Sequence, residues 1–368
     1  MLLPPFHLER YFARYEFSVQ HLLSSSDCES MSMGELLALE PGASERLDNL
    51  SLGYTESAGS PGLREVIAGM YTSQSAPDIL VHSGAEEAIF LFMHAVLGPE
   101  DHVVVHWPCY QSLLELPRAL GCSVDLWEAR EDHNWALDLD TLQTLLRPNT
   151  KAIIVNLPHN PTGYLMAREA FQELCRLAED RGILLFCDEV YRESEYDSAQ
   201  RLPAACDLCH TGISLGVTSK TYGLPGLRIG WLATKQHDVL AAVAQLKDYT
   251  TICNSAPSEF LAEIALRHRQ YLAERSVGLI QSNLELLDDF FARHSERFVW
   301  QRPQAGPIAF PRLRSENADD FCQWAVDKAS VLLLPGSLYD YPGGAFRIGF
   351  GRANLPQALQ ALEAIIAP

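Results

Sequence analysis

Six short apolar runs, Ile79–His82, His102–His106, Ser123–Trp127, Ala152–Asn156, Ile183–Cys187 and Ile213–Val217, recur along the chain at intervals that each leave room for a helix. Helical patterns occupy several of these intervals, at Glu86–Leu97, Gln111–Leu120 and Arg168–Arg181. Strands that are apolar almost throughout need cover on both faces, and parallel strands need long crossovers. The alternation therefore predicts a mainly parallel sheet with helices on both sides. Ligands of such sheets bind outside the carboxyl ends of the strands, so the residues after each run are the ones to read for chemistry.

Outside this region the texture differs. A segment of mixed aromatic and charged residues leads to a Ser-rich passage, Ser24-Ser25-Ser26-Asp27, and a helix is expected from Met33 to Leu39. Tyr54 to Gly62, YTESAGSPG, reads as a loop opening into a helix near Leu63. A long helical run is expected from Leu261 to about Arg293, and from Phe298 short strands alternate with two helices. The expected fold class is α/β, a mainly parallel sheet with helices on both faces plus a smaller α+β domain. Since 368 residues exceed what one core usually serves, residues 46–270 are expected to form the large domain, and 1–45 with 271–368 the small one.

A formal net charge of -19 argues against nucleic acid and anionic membrane surfaces as partners and favours small-molecule chemistry. The opening stretch MLLPPFHLERYFARYEF places charges where a secretory signal would be apolar, so a cytoplasmic location is expected. Nine scattered cysteines fit free thiols better than a disulfide framework. Cys206-Asp207-Leu208-Cys209-His210 matches a haem-attachment pattern, but it has no companion cysteine pair at ligand spacing. It is read as a loop, and no metal site is expected.

The turn after the sixth run holds Lys220, followed closely by a second apolar run that carries Arg228. An amine enclosed between buried strands has a lowered pKa and becomes nucleophilic, suited to a Schiff base with a carbonyl cofactor, of which pyridoxal phosphate is the commonest. Ser83-Gly84-Ala85 turns into a helix whose free amides suit a phosphate. Tyr110 offers a ring to stack on a heterocycle, or simply to pack. Asn160 offers an amide, although a turn of Asn, Gly and two prolines explains the same letters. Asp188 ends an apolar run and needs a positive partner, such as a protonated pyridine nitrogen.

Taken in order, SGA, WPCY, PHNPTG, DEVY, SKTYGLPGLRIGW and FRIGFGR resemble the class I/II aminotransferases of the fold-type I pyridoxal phosphate enzymes, the aspartate aminotransferase superfamily, from about Tyr54 to Arg352. The resemblance implies that Lys220 forms the Schiff base with pyridoxal 5'-phosphate and shuttles a proton, and that Asp188 keeps the ring nitrogen protonated. By the same resemblance Asn160 and Tyr191 hold the phenolic oxygen and Tyr110 stacks on the ring. The phosphate falls to Ser83, the Gly84 and Ala85 amides, Ser219 and Arg228. Tyr54 reaches the neighbouring subunit's cofactor, making the active unit a homodimer. Arg347, with Asn160 beside it, binds the substrate carboxylate. The activity implied is transfer of an amino group between an L-amino acid and a 2-oxo acid.

Two departures stand out. Val217 occupies a position where the family often has a phosphate-binding serine, which leaves Thr218 as a possible substitute. The amino-terminal passage HLLSSSDCESMSMGELLAL is loosely similar to capreomycidine synthase-like enzymes, which use the scaffold for elimination and ring closure on an arginine derivative. A lyase or cyclase is thus the alternative activity. A transcription regulator's sensor domain would call for a basic winged-helix segment before the fold, which is not read before Tyr54. Phe6, His7, Arg10, Arg14 and Tyr15 are the amino-terminal candidates for setting side-chain specificity.

Overall fold

A computed structural model describes residues 3–366. Seven strands form one sheet: β1 (Ile79–His82), β2 (His102–Trp107), β3 (Ser123–Glu128), β4 (Thr150–Asn156), β5 (Leu184–Asp188), β6 (Gly212–Val217) and β7 (Gly230–Ala233). Their order across the sheet is β1-β7-β6-β5-β4-β2-β3. All run parallel except β7, which lies antiparallel between β1 and β6. Each of the six runs read from sequence is a strand within two residues of its expected ends, and β7 is the second apolar run after Lys220.

Both faces of the sheet are covered, as the unbroken apolar runs require. Along β4, Ile153 and Val155 pack under the helix Arg168–Asp180, while Ala152 and Ile154 face the helix Ala85–Val96. At the β6–β7 pair a tryptophan lies opposite a glycine, Trp231 against Gly216. A Cβ on Gly216 would come within 2.3 Å of the indole, so glycine here lets Trp231 lie flat and holds the Lys220 turn close to the sheet.

Leu23 and Cys28 pack with residues from Ile280 to Leu362 in a separate apolar cluster. His21–Leu22 pairs in parallel with Val331–Leu332, which ties the amino-terminal segment to the carboxyl-terminal part of the chain. The expected run from Leu261 to Arg293 is two helices, Ala256–Arg267 and Arg269–Arg293. The break falls at His268, whose φ of -103° and ψ of 20° leave the helical region. Leu261 to Leu272 pack beside the sheet and Ile280 to Phe291 in the second cluster, so the break turns the chain from one core to the other. Among the described residues, no helix is long and apolar enough to cross a membrane.

Candidate active site

The carboxyl ends of the parallel strands open on a cavity of about 440 Å³. Asn156 ends β4 and Asp188 ends β5, opposite each other in register, and Val217 ends β6. Ser219, Lys220 and Arg228 come from the β6–β7 connection. Because β7 runs backwards, both ends of that connection lie at the same edge of the sheet. The loops after β2, β4 and β5 add Tyr110, Asn160 and Tyr191, and the strand Phe346–Gly349 adds Arg347.

Lys220 donates from Nζ to Ser26 Oγ at 2.8 Å. Desolvation lowers its pKa, and the Arg347 charge lowers it further, against the pull of Asp27 and Asp188. The neutral, nucleophilic amine is favoured as a result. Burial raises the Asp188 carboxyl from 3.8 to about 7, even though the Val190 amide and the Lys220 charge oppose the shift. That difference corresponds to about 4 kcal/mol in favour of the protonated acid. An acid in this condition yields its proton to a basic nitrogen placed against it and is itself stabilised by the ion pair that results. The Asn156 side chain braces the site: it donates to the Asp188 carbonyl at 2.9 Å and accepts from the Asn160 amide at 2.7 Å.

Arg347 is 1% exposed, and its partners are all neutral. Nη1 donates to Asn160 Oδ1 at 3.1 Å and to the Tyr339 hydroxyl, Nη2 donates to the Ser24 carbonyl at 2.6 Å, and Nε has no partner among the described residues. A buried guanidinium without a carboxylate against it is a site short of an anion. Among the described residues the Tyr191 hydroxyl and Ser219 Oγ are likewise buried without a well-formed hydrogen bond, the Tyr191 hydroxyl lying toward the Ser26 side chain.

At the other end, Ala85 opens the helix Ala85–Val96 beside Arg228. Gly84 holds φ at 88°, and a Cβ there would stand 2.5 Å from Arg228 Nη2, so the arginine can lie over the helix terminus only because the residue is glycine. Of the two amides expected to form the phosphate cradle, that of Gly84 is already used, donating to the His82 carbonyl at 2.9 Å; Ser83 N–H donates to Glu87 at 2.6 Å. Thr218 does not replace the serine missing at Val217. Its hydroxyl donates to the Ile229 carbonyl at 3.1 Å, while Val217 itself lines the cavity. The Ala85 amide, the Ser83 hydroxyl, Ser219 and Arg228 are what remains for an anion.

The amino-terminal segment contributes more than its sequence suggested. The helix His7–Tyr15 lays Leu8, Glu9 and Phe12 along the cavity, with Glu16 just beyond it. The five residues singled out there do not line it. Phe6 packs on the Tyr110 ring at 5.2 Å, the Tyr15 hydroxyl donates to Gln323 at 2.8 Å, and His7, Arg10 and Arg14 lie exposed. Glu9 accepts from the Tyr110 hydroxyl at 3.2 Å. Asp27 receives Arg352 Nη2 at 3.0 Å on each oxygen, and Glu86 accepts from Ser112 at 3.0 Å. Burial raises the Glu86 carboxyl to about 7 and also raises that of Glu16. Tyr54 stands apart, 93% exposed and outside the cavity.

The family model for aminotransferase class I and II matches residues 33–365. The chain belongs to this family. It is 30% identical to capreomycidine synthase from Streptomyces vinaceus, covering 98% of this chain and 93% of that one. The crystal structure of a PLP-dependent aminotransferase from Streptococcus suis 89-1591 superposes with a TM-score of 0.93 at 31% identity, covering 100% of both chains. That of the PLP-dependent cyclase OrfR superposes at 0.92, also 31% identical, covering 100% of this chain and 98% of the other. Pyridoxal 5'-phosphate (PLP) is the cofactor of this family and of this enzyme. The cavity fits it: a carboxyl that titrates near 7, an enclosed amine, the buried Tyr191 and Ser219 hydroxyls, and an arginine over a glycine-opened helix terminus.

Proposed function

We propose that the enzyme is an aminotransferase for an L-amino acid whose side chain is cationic, with a 2-oxo acid as acceptor. The reading rests on the convergence of Lys220, Asp188 and Arg347 on one cavity whose far wall is acidic. When bound, PLP supplies an electron sink for the carbanion left at the substrate's Cα. Arg228, Ser219 and the Ala85 amide would hold its phosphate, Asn160 and Tyr191 its phenolic oxygen, and Tyr110 the face of its ring. Asp188 would keep a proton on the ring nitrogen. Arg347 receives the substrate carboxylate with the two-nitrogen fork that suits this geometry. Lys220 removes the α-proton and returns it elsewhere, which is all the proton handling that transamination requires.

The substrate side chain would meet Glu9, Glu16 and Asp27, against which, among the described residues, only Arg352 stands as a cation on that wall. Glu9→Gln and Glu16→Gln are each expected to raise KM for L-arginine or L-lysine about tenfold and to leave KM for a neutral amino acid within a factor of about two. Equal effects on charged and neutral substrates would remove the basis for a cationic side chain.

One set of observations favours a second reading, a lyase or cyclase. Burial raises the Glu86 carboxyl on the cavity wall to about 7, an acid of the kind a departing group at Cβ needs, and two full-length relatives are a capreomycidine synthase and a cyclase.

The proposed unit is a cytoplasmic homodimer divided into the two domains expected from sequence. Leu52, Tyr54, Tyr249 and Ile252 are exposed on adjoining loops, joined by the bond from Thr55 to the Asn254 carbonyl at 2.9 Å. They form an apolar surface that a second copy would cover, bringing Tyr54 to its partner's cavity. A holoenzyme that sediments as a fully active monomer would contradict the shared site.

A further inference from the structure

The Ser-rich passage crosses the cavity as a strap that holds Lys220, Arg347 and Arg352. The Ser24 carbonyl accepts from Arg347 at 2.6 Å, Ser26 Oγ accepts from Lys220 at 2.8 Å, and the Asp27 carboxylate accepts from Arg352 at 3.0 Å. Backbone contacts on both sides fix its course. Gly349 N–H donates to the Leu23 carbonyl and Glu29 N–H to the Gly351 carbonyl, both at 2.7 Å. Glycines provide the clearance: a Cβ on Gly349 would fall 1.9 Å from the Ser25 carbonyl oxygen, and one on Gly351 2.5 Å from that of Asp27. The lysine turn meets the same strap, since a Cβ on Gly223 would lie 2.6 Å from the Glu29 carbonyl oxygen. Ser26 and Lys220 are therefore mounted on elements in direct backbone contact.

We propose that Ser26 is a positioning residue for the Lys220 amine in α-proton transfer, an inference that rests on the reading of Lys220 as the base. A neutral amine carries two N–H groups and one lone pair. Donating one N–H to Ser26 stops free rotation about the Cε–Nζ bond and limits the directions in which the lone pair can point. In the transfer, the Cα–H bond breaks and leaves its electron pair on the substrate. The proton joins the Nζ lone pair, and the ammonium so formed keeps its hydrogen bond to Ser26 until it releases the proton. Ser26 undergoes no covalent change. Because its oxygen is a better partner for the ammonium than for the amine, it also holds the lysine pKa above what burial alone would impose.

Two measurements on Ser26→Ala separate this role from a structural one. In the holoenzyme, kcat is expected to fall about tenfold with KM little changed, and the isotope effect with α-deuterated substrate to rise, because proton transfer becomes the slower step. In the full chain freed of cofactor, labelling of Lys220 by an amine-acylating reagent, followed by peptide mapping, is expected to show its pH midpoint moved down by about one unit. Ser26→Thr, which keeps a hydroxyl, should restore both. A wild-type isotope effect with an unmoved midpoint overturns the proposal. So does a threonine variant that is folded and binds cofactor yet behaves like alanine. The labelling arm does not depend on turnover, so it reports on the hydrogen bond even if Lys220 proves not to be the base.

Discussion

Lys220→Ala is expected to lower kcat by at least about 10⁴-fold while leaving most of the cofactor affinity in place. Lys220 is the only amine among the described residues that line the cavity, and burial lowers its pKa, whereas Arg228, Arg347 and Arg352 carry guanidinium groups, which are poor bases. Ser26 and Tyr191 beside it are hydroxyls, and of the carboxyls that act on it Asp27 is paired with Arg352 and Asp188 is assigned to the ring nitrogen. The phosphate contacts attributed to Ser219, Arg228 and the Ala85 amide do not involve Lys220, so binding should survive its loss. Single-turnover rates and equilibrium dialysis of cofactor on the variant measure the two halves separately. Turnover near the native rate would show that the lysine is not the base.

Asp188→Ala is expected to reduce kcat about 10²- to 10³-fold, with a much smaller change in KM. The carboxyl lies at the end of β5, where burial raises it to about 7, and the closest opposing charge is that of Lys220. A carboxylate maintained in such a place stabilises positive charge on a group pressed against it, and more so as negative charge develops at Cα. Its contribution therefore grows between ground state and transition state, which places the loss in kcat. Asp188→Asn should resemble alanine, because the amide keeps the shape but not the charge. An unchanged kcat in both variants would remove Asp188 from the mechanism.

The sheet was legible because all its strands but the edge strand β3 are buried on both faces. Ile153 and Val155 serve one cluster, Ala152 and Ile154 the other, and the sequence shows the sum as an unbroken apolar run. The site residues at the strand ends were legible for the same reason, since Asp188 and Lys220 directly follow such runs. What sequence reading missed lies in the amino-terminal segment. The helix His7–Tyr15 has no capping side chain, and its apolar positions Leu8, Phe12 and Tyr15 are interleaved with charges. Their spacing of four and three was a signal for one helical face, and Glu16 continues that face into the cavity. Ser26 gave no such signal, because its place beside Lys220 comes from a strap crossing between segments 194 residues apart. The local bonds that occupy the Gly84 amide and the Thr218 hydroxyl belong to backbone geometry, which residue identity alone does not reveal.

The most direct test of the central claim is one round of reaction without an acceptor. Holoenzyme is mixed with L-arginine, L-lysine or L-ornithine in the absence of any 2-oxo acid, and the products are counted per active site. An aminotransferase for cationic amino acids releases one equivalent of the corresponding 2-oxo acid, retains the amino group and stops until an acceptor is added. Continued turnover without acceptor, yielding ammonia, an unsaturated product or a cyclised amino acid, would contradict transamination, and reaction with neutral or acidic amino acids alone would contradict the assigned substrate class.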